Sequence, residues 1–164
     1  MLYNAKIFLY FRIMDKPTYQ LKESSDGYWY EFDSISDDKV IRKAIGYYES
    51  KHDKNAVELV FGDLKTDKLD VTVVSDNKDF IVIINTVIVT VYRFLELYPE
   101  KSVSFMGSTS ARNRIYRAII AKLYDESDSE FDIYGLTYEN ELEKFVPNKD
   151  YFSFQIFKKH EKEP

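Results

Sequence analysis

The sequence predicts an α+β fold. It reads as a single domain on a mostly antiparallel sheet, with a buried apolar helix and a second, Arg-bearing amphipathic helix on one face. Three observations carry this reading. The 164 residues are 45% apolar and 31% charged, the balance of a soluble chain that can close one core. Fourteen Tyr and 12 Phe against five Gly imply large buried rings, high strand propensity and few open loops. Period-two alternation fills the first half, whereas an unbroken apolar run and then a helical-period stretch follow it.

The opening stretch, MLYNAKIFLYFRI, is apolar and aromatic but lacks the basic start and small-residue cleavage site of a signal peptide. Met14 opens MDKPTYQLKE, which reads as the start of a cytosolic domain. Residues 1–13 are therefore expected to be an extension or a peripheral strand, the domain to occupy 14–158, and 159–164 to fray. In YWYEFDS, Tyr28, Tyr30 and Phe32 alternate with Trp29, Glu31 and Asp33, as in a half-buried strand. VIRKAIGYYES admits two readings. Val40, Ile41, Ala44, Ile45 and Tyr48 make a helical face behind the start signal Ser36, Asp37, Asp38, whereas Ile41, Ile45 and Tyr47 make a strand face that Lys43 interrupts. The strand is preferred. AVELVF aligns Val57, Leu59 and Phe61, LDVTVV aligns Leu69, Val71 and Val73, and GDLKTDK between them predicts a hairpin loop.

DFIVIINTVIVTVYRFLEL has no turn residue at its centre and predicts a core helix over 77–97. Asp76, Asn77, Lys78 and Asp79 form its start signal, and Pro99 marks its end. Asn85, Arg93 and Glu96 argue against a membrane span in a stretch of barely sufficient length. SVSFMG predicts a short strand with Val103 and Phe105 on one face. SARNRIYRAIIAKLYDES is amphipathic, with Ala111, Ile115, Ala118, Ile119 and Leu123 at helical spacing. An acidic link over 125–130 follows, then FDIYGL as a strand and ENELEKF as a short helix or turn. YFSFQIF closes the sheet with Phe152, Phe154 and Ile156 on one face.

Composition excludes several chemistries. Lys and Arg total 23 against 28 Asp and Glu, a net charge of −5, which disfavours broad nucleic-acid or anionic-membrane binding. The absence of cysteine removes disulfides, thiol catalysis and cysteine-based metal centres, and two His leave little room for imidazole-rich sites. His52 and His160 lie in polar stretches and read as solvated. Trp29 reads as sheet packing, and Asp63, Asp67 and Asp70 as a solvated turn without EF-hand spacing.

One constellation remains. Gly107, Ser108, Thr109 and Ser110 join a predicted strand to a predicted helix, and Arg112, Arg114 and Arg117 follow within two turns. Hydroxyls there can cap the helix, whereas cations near its positive end oppose the macrodipole. A bound anion would relieve that conflict, as would neutralisation by Asp63, Asp70 or Asp76 in a structural network. Gly107, Ser108, Thr109, Ser110, Arg112 and Arg114 are the candidate ligand-binding residues. On an ideal helix Arg114 and Arg117 share a side, while Arg112 lies well round from both. Neither a P-loop nor GxGxxG is present.

From about Glu31 to Lys158 the chain resembles a bacterial domain-of-unknown-function family. The resemblance rests on Phe61-Gly62-Asp63, the Asp76-Asn77-Lys78-Asp79 run, and a G-S-T-x-A-R-x-R-x-Y pattern at Gly107, Ser108, Thr109, Ala111, Arg112, Arg114 and Tyr116. Asn113 departs from that pattern, where a hydroxyl residue is expected. The resemblance implies a cytosolic bacterial α+β protein and carries no activity.

Two functions fit these residues. The first is a non-enzymatic module that binds a protein partner or a small anionic ligand at the Arg112 junction, without cofactor, metal or membrane. The second is a phosphodiester- or nucleotide-processing enzyme. In it Arg112 and Arg114 clamp phosphate, Asp63 or Asp70 serves as metal ligand or base, and Tyr116 donates a proton. No complete catalytic set can be written, which favours the first. An enzyme needs its acids and arginines in one open pocket, whereas a structural network buries them.

Overall fold

A computed structural model of the chain describes residues 15–71, 77–107, 109–126 and 130–160. The expectations for 1–13, Val73, Asp76, Ser108, most of the acidic link and the end of the tail lie outside them. Among the described residues the order is β1 (Lys22–Glu23), β2 (Trp29–Ile35), β3 (Val40–Glu49), β4 (Ala56–Lys65), β5 (Lys68–Asp70), α1 (Phe80–Leu97) and β6 (Ser102–Phe105). Then come α2 (Ser110–Glu126), β7 (Phe131–Leu136), β8 (Leu142–Lys144) and β9 (Ser153–Lys158). The fold is α+β, with one mostly antiparallel sheet ordered β1-β2-β3-β4-β6-β9-β7-β8.

β1 to β4 form an antiparallel meander. The far edge of β4 is shared. Its first three residues pair in parallel with β6, and its last three pair antiparallel with β5. Because β9 is antiparallel to both β6 and β7, the strands β4, β6 and β7 all run one way. α1 and α2 are the connections between them, so the helices run parallel and start at the same end of the sheet. Arg114 near the start of α2 lies over Phe80 at the start of α1, and Lys122 further along α2 bonds Asn85 further along α1.

Side-chain alternation places Tyr30, Phe32 and Ser34 of β2 inward, opposite Lys43 and Ile45 of β3 and, across β3, Phe61 and Asp63 of β4. β3 is a strand because Lys43, which interrupts its apolar face in the sequence, is itself inward and buried. The hairpin between β4 and β5 is tighter than expected. β4 continues through Lys65, and Thr66 and Asp67, both at positive φ, make the turn alone. Gly62 is therefore a strand residue. A Cβ there would stand 2.3 Å from the Asp70 carbonyl oxygen, so glycine permits the close approach of β5.

α1 begins at Phe80, three residues later than the sequence suggests, and Asp79 makes no side-chain cap. Its carboxylate accepts bonds from Tyr19 and Ser34 instead, because those hydroxyls face it across the core edge. α1 is long and apolar enough to cross a membrane, with mean hydropathy 1.9, but 61% of it is buried inside the protein. Its buried Asn and Thr side chains are hydrogen-bonded within the fold. Thr86 donates to Val82 O and receives Tyr19 N–H, and Asn85 donates to Pro17 O. Thr90 donates to Val87 O, leaving its oxygen to accept from the buried Tyr47 hydroxyl at 2.8 Å.

The buried stripe of α2 is rotated from the expected one. Ala111 is exposed, and Arg112, Ile115, Tyr116, Ile119, Ile120 and Leu123 face inward. ENELEKF is not a helix: Glu139 and Asn140 lie in the turn after β7, and Leu142–Lys144 form β8, because their main chain finds a partner in β7. Phe152 precedes β9 and is exposed, whereas Phe154 and Ile156 are buried as predicted.

Ile88 at the centre of α1 is 1% exposed. Ile88→Asp strands a charge in the core and is expected to cost more than about 3 kcal/mol, enough to abolish cooperative unfolding in a urea titration followed by circular dichroism. An unchanged transition would contradict the placement of α1.

Candidate functional site

The strand order brings one end of the sheet and two helix starts together. Ser34 near the end of β2, Lys43 early in β3 and Asp63 late in β4 occupy inward positions that are apolar further along the sheet. At this end Asp79 leads into α1, and Gly107 and Thr109 lead from β6 into α2. Crevices at the carboxyl ends of parallel strands, facing helix N-termini, are favourable places for anions.

Lys43 Nζ lies 2.6 Å from Asp63 Oδ1, with side-chain exposures of 0% and 3%. The ammonium also sits 5.6 Å from the centre of the Phe61 ring. Pairing at hydrogen-bond distance makes the burial of both charges tolerable. Beside them Asp79 Oδ2 accepts Tyr19 Oη and Ser34 Oγ, each at 2.5 Å. Asn77 Nδ2 donates to Ser34 O and Oγ at 3.0 Å. Burial, followed by the bond to Asp79, raises the Tyr19 pKa.

At the start of α2, Thr109 Oγ1 accepts the Arg112 amide at 3.3 Å, and Thr109 O accepts the Asn113 amide at 3.0 Å. Thr109 is thus the cap that the sequence predicts. Asn113 folds back so closely that a Cβ on Gly107 would lie 1.9 Å from its Oδ1. The glycine makes room for this amide, and Asn113 has a packing role of its own. Ser110 is exposed, and the Ser110 and Ala111 amides have no partner among the described residues. Ser108 lies outside them.

The three arginines diverge. Arg112 is 5% exposed and turned inward toward Tyr116, one turn further on. Burial raises the Tyr116 phenol pKa, and the Arg112 charge opposes that rise. Tyr116 Oη faces Leu59 O at 3.5 Å, and its ring meets Phe105 edge-on. Arg114 is exposed, with its guanidinium 5.1 Å from the Phe80 ring centre. Arg117 reaches Asp150 at 2.6 Å on the surface.

Of the acids named in the enzyme reading, Asp63 pairs with buried Lys43 and Asp70 with exposed Lys65 at 3.0 Å. Asp67 lies in the two-residue turn, and His52 and His160 are exposed. Trp29 donates Nε1 to Glu31 and lies against Gly46, which is sheet packing. Lys43 is the site residue that sequence reasoning missed. Its signal was present, as a lysine in phase with Ile41, Ile45 and Tyr47.

The pair offers a direct test. Lys43→Met or Asp63→Asn alone takes one partner from a buried charge and is expected to cost about 3–5 kcal/mol, whereas Lys43→Met combined with Asp63→Leu recovers most of that loss. Urea denaturation of the four proteins measures the coupling, and additive losses would mean that the two side chains do not act as a pair.

No curated protein and no solved structure gives a match to the chain. Residues 15–159 match DUF6934, a family of unknown function, and the chain belongs to that family.

Proposed function

We propose that the chain is a non-enzymatic binding module that takes a phosphate- or carboxylate-bearing ligand at the end of the sheet where both helices begin. The observation that carries this reading is the convergence of two parallel helix N-termini with Lys43, Arg112 and Arg114, neither helix having an acid in its first turn. Asp63 and Asp79 face this end, but Lys43 holds the first, and Tyr19 and Ser34 hold the second.

The contacts divide by accessibility. Arg114 and the Ser110 and Ala111 amides meet the ligand, with Gly107 and Thr109 as the rim of the same junction. Arg112 supplies a positive charge from within, where low dielectric extends its reach. Binding is favoured over phosphodiester or nucleotide chemistry because Asp63 and Tyr116, which an enzyme would need open, are 2% and 1% exposed. The same reading keeps the protein in a bacterial cytoplasm, in line with its net charge of −5 and lack of cysteine.

Inorganic phosphate, compared with chloride at equal ionic strength, is expected to raise the melting temperature of the wild type. Linkage gives about 2.7 kcal/mol at a hundredfold excess over Kd. Arg114→Ala should remove the increment with little change in basal stability, whereas Arg112→Ala lowers the melting temperature without any ligand. A wild type indifferent to phosphate, or an increment that survives Arg114→Ala, would overturn the reading.

A further inference from the structure

We propose that the outer edge of β8, with the exposed side chains of Tyr138, Leu142 and Phe152, is a docking edge for an extended, basic segment of another protein. The inference is independent of the anion site and concerns the other part of the sheet.

β8 is the last strand of the sheet among the described residues. The bonds Thr137 N–H to Glu141 O and Phe145 N–H to Ile133 O set the phase of the β7–β8 pairing. In that phase Glu143 faces β7, and the main-chain groups of Leu142 and Lys144 point away from it. An extended chain can bond there.

Beside this edge the surface is apolar and held in shape. Tyr138 is 64% exposed, Leu142 53% and Phe152 49%. The Tyr138 and Phe152 rings meet edge-on at 6.1 Å, and the Phe152 amide is tied to Leu136 O at 2.7 Å. Leu136 is the cross-strand partner of Leu142, so Leu142 stands beside the residue to which the Phe152 main chain is tied. Behind the patch, buried Tyr151 packs so closely on Gly135 that a Cβ there would lie 2.2 Å from the ring. Tyr151 also donates to Glu143 and accepts the Val146 amide. The hairpin is closed by Asn140 at positive φ and by the Glu141 amide on Thr137 Oγ1. Little ordering is left for a partner to impose.

Charge selects the occupant. Glu143 is engaged by Lys149 and Tyr151, and Asp150 by Arg117, whereas Glu139 and Glu141 stand exposed at the tip beside Tyr138 and Leu142. A segment that alternates apolar residues with Lys or Arg places its apolar side chains on the patch and its cations against these two glutamates. The shortness of β8 and its own Lys144 limit indiscriminate pairing, so affinity depends on the side chains as well as the main chain.

The test uses the full chain and two capped peptides, one alternating Val with Lys and one alternating Val with Glu. The Val-Lys peptide is expected to bind at least about tenfold more tightly by fluorescence anisotropy, and to shift the Leu142 and Lys144 amide resonances. N-methylation of alternate peptide amides should abolish binding without touching the protein, and Glu139→Lys with Glu141→Lys should reverse the preference. Equal binding of the two peptides, shifts confined to another surface, or no binding would overturn the proposal. So would a concentration-dependent dimer that Tyr138→Ser with Phe152→Ser dissolves, since a second copy would then be the occupant.

Discussion

A lysine with no exposed surface, 2.6 Å from an equally sequestered aspartate, is the constraint around which this fold is arranged. Desolvating two charges is costly, and the cost is recovered only if β3 and β4 hold a register that sets Lys43 opposite Asp63. A slip of β4 by one residue against β3 would turn Asp63 to the other face and part it from Lys43. Phe61, two positions earlier on the same face, stacks on Phe32 of β2 at 6.3 Å. Gly62, on the opposite face, lets β5 close against the strand. The three consecutive residues of the Phe61-Gly62-Asp63 motif thus serve core stacking, strand approach and charge pairing respectively.

From this register follows a polarity along the sheet. At one end the inward positions are Ser34, Lys43 and Asp63, and both helices start there. Toward the other end the core is aromatic. Tyr47 stacks flat on Phe94 at 4.3 Å, Tyr28 meets Phe94 edge-on, and Tyr98 leans on both rings as α1 ends. Parallel β4 and β6 make this arrangement possible, because a crossover between parallel strands returns each helix start to the same side. The helix dipoles then add at the polar end instead of cancelling, and the cations there share one neighbourhood with them.

The Gly107 junction acquires its roles through the same geometry. Thr109 caps, Gly107 accommodates Asn113, Arg112 lies inside, Arg114 lies on Phe80, and Tyr116 fills the space between Phe105 and β4. A helix that exposes Ala111 and buries Arg112 contradicts simple amphipathicity. It has done so at the one end of the core that is polar.

Much of the architecture was legible in the residues themselves. Tyr30 and Phe32, Val57 to Phe61, and Phe154 with Ile156 carry a period of two that only a strand buries on one side, and the run from Phe80 to Leu97 lacks any residue that could turn it. Thr109 as a cap and the divergence of Arg112 from Arg114 likewise follow from local helix geometry. These features depend on neighbours within a few residues, and the chain encodes them locally. Lys43 inside a core, Gly62 and Leu64 in a strand instead of a turn, Asp79 bonded to Tyr19 instead of capping, and β8 as a strand depend on partners far along the chain. A buried charge is permitted only by the opposite charge that folding brings beside it, and a short polar strand only by the edge that receives it. Those partnerships come into existence when the sheet assembles, so the tertiary structure alone decided them.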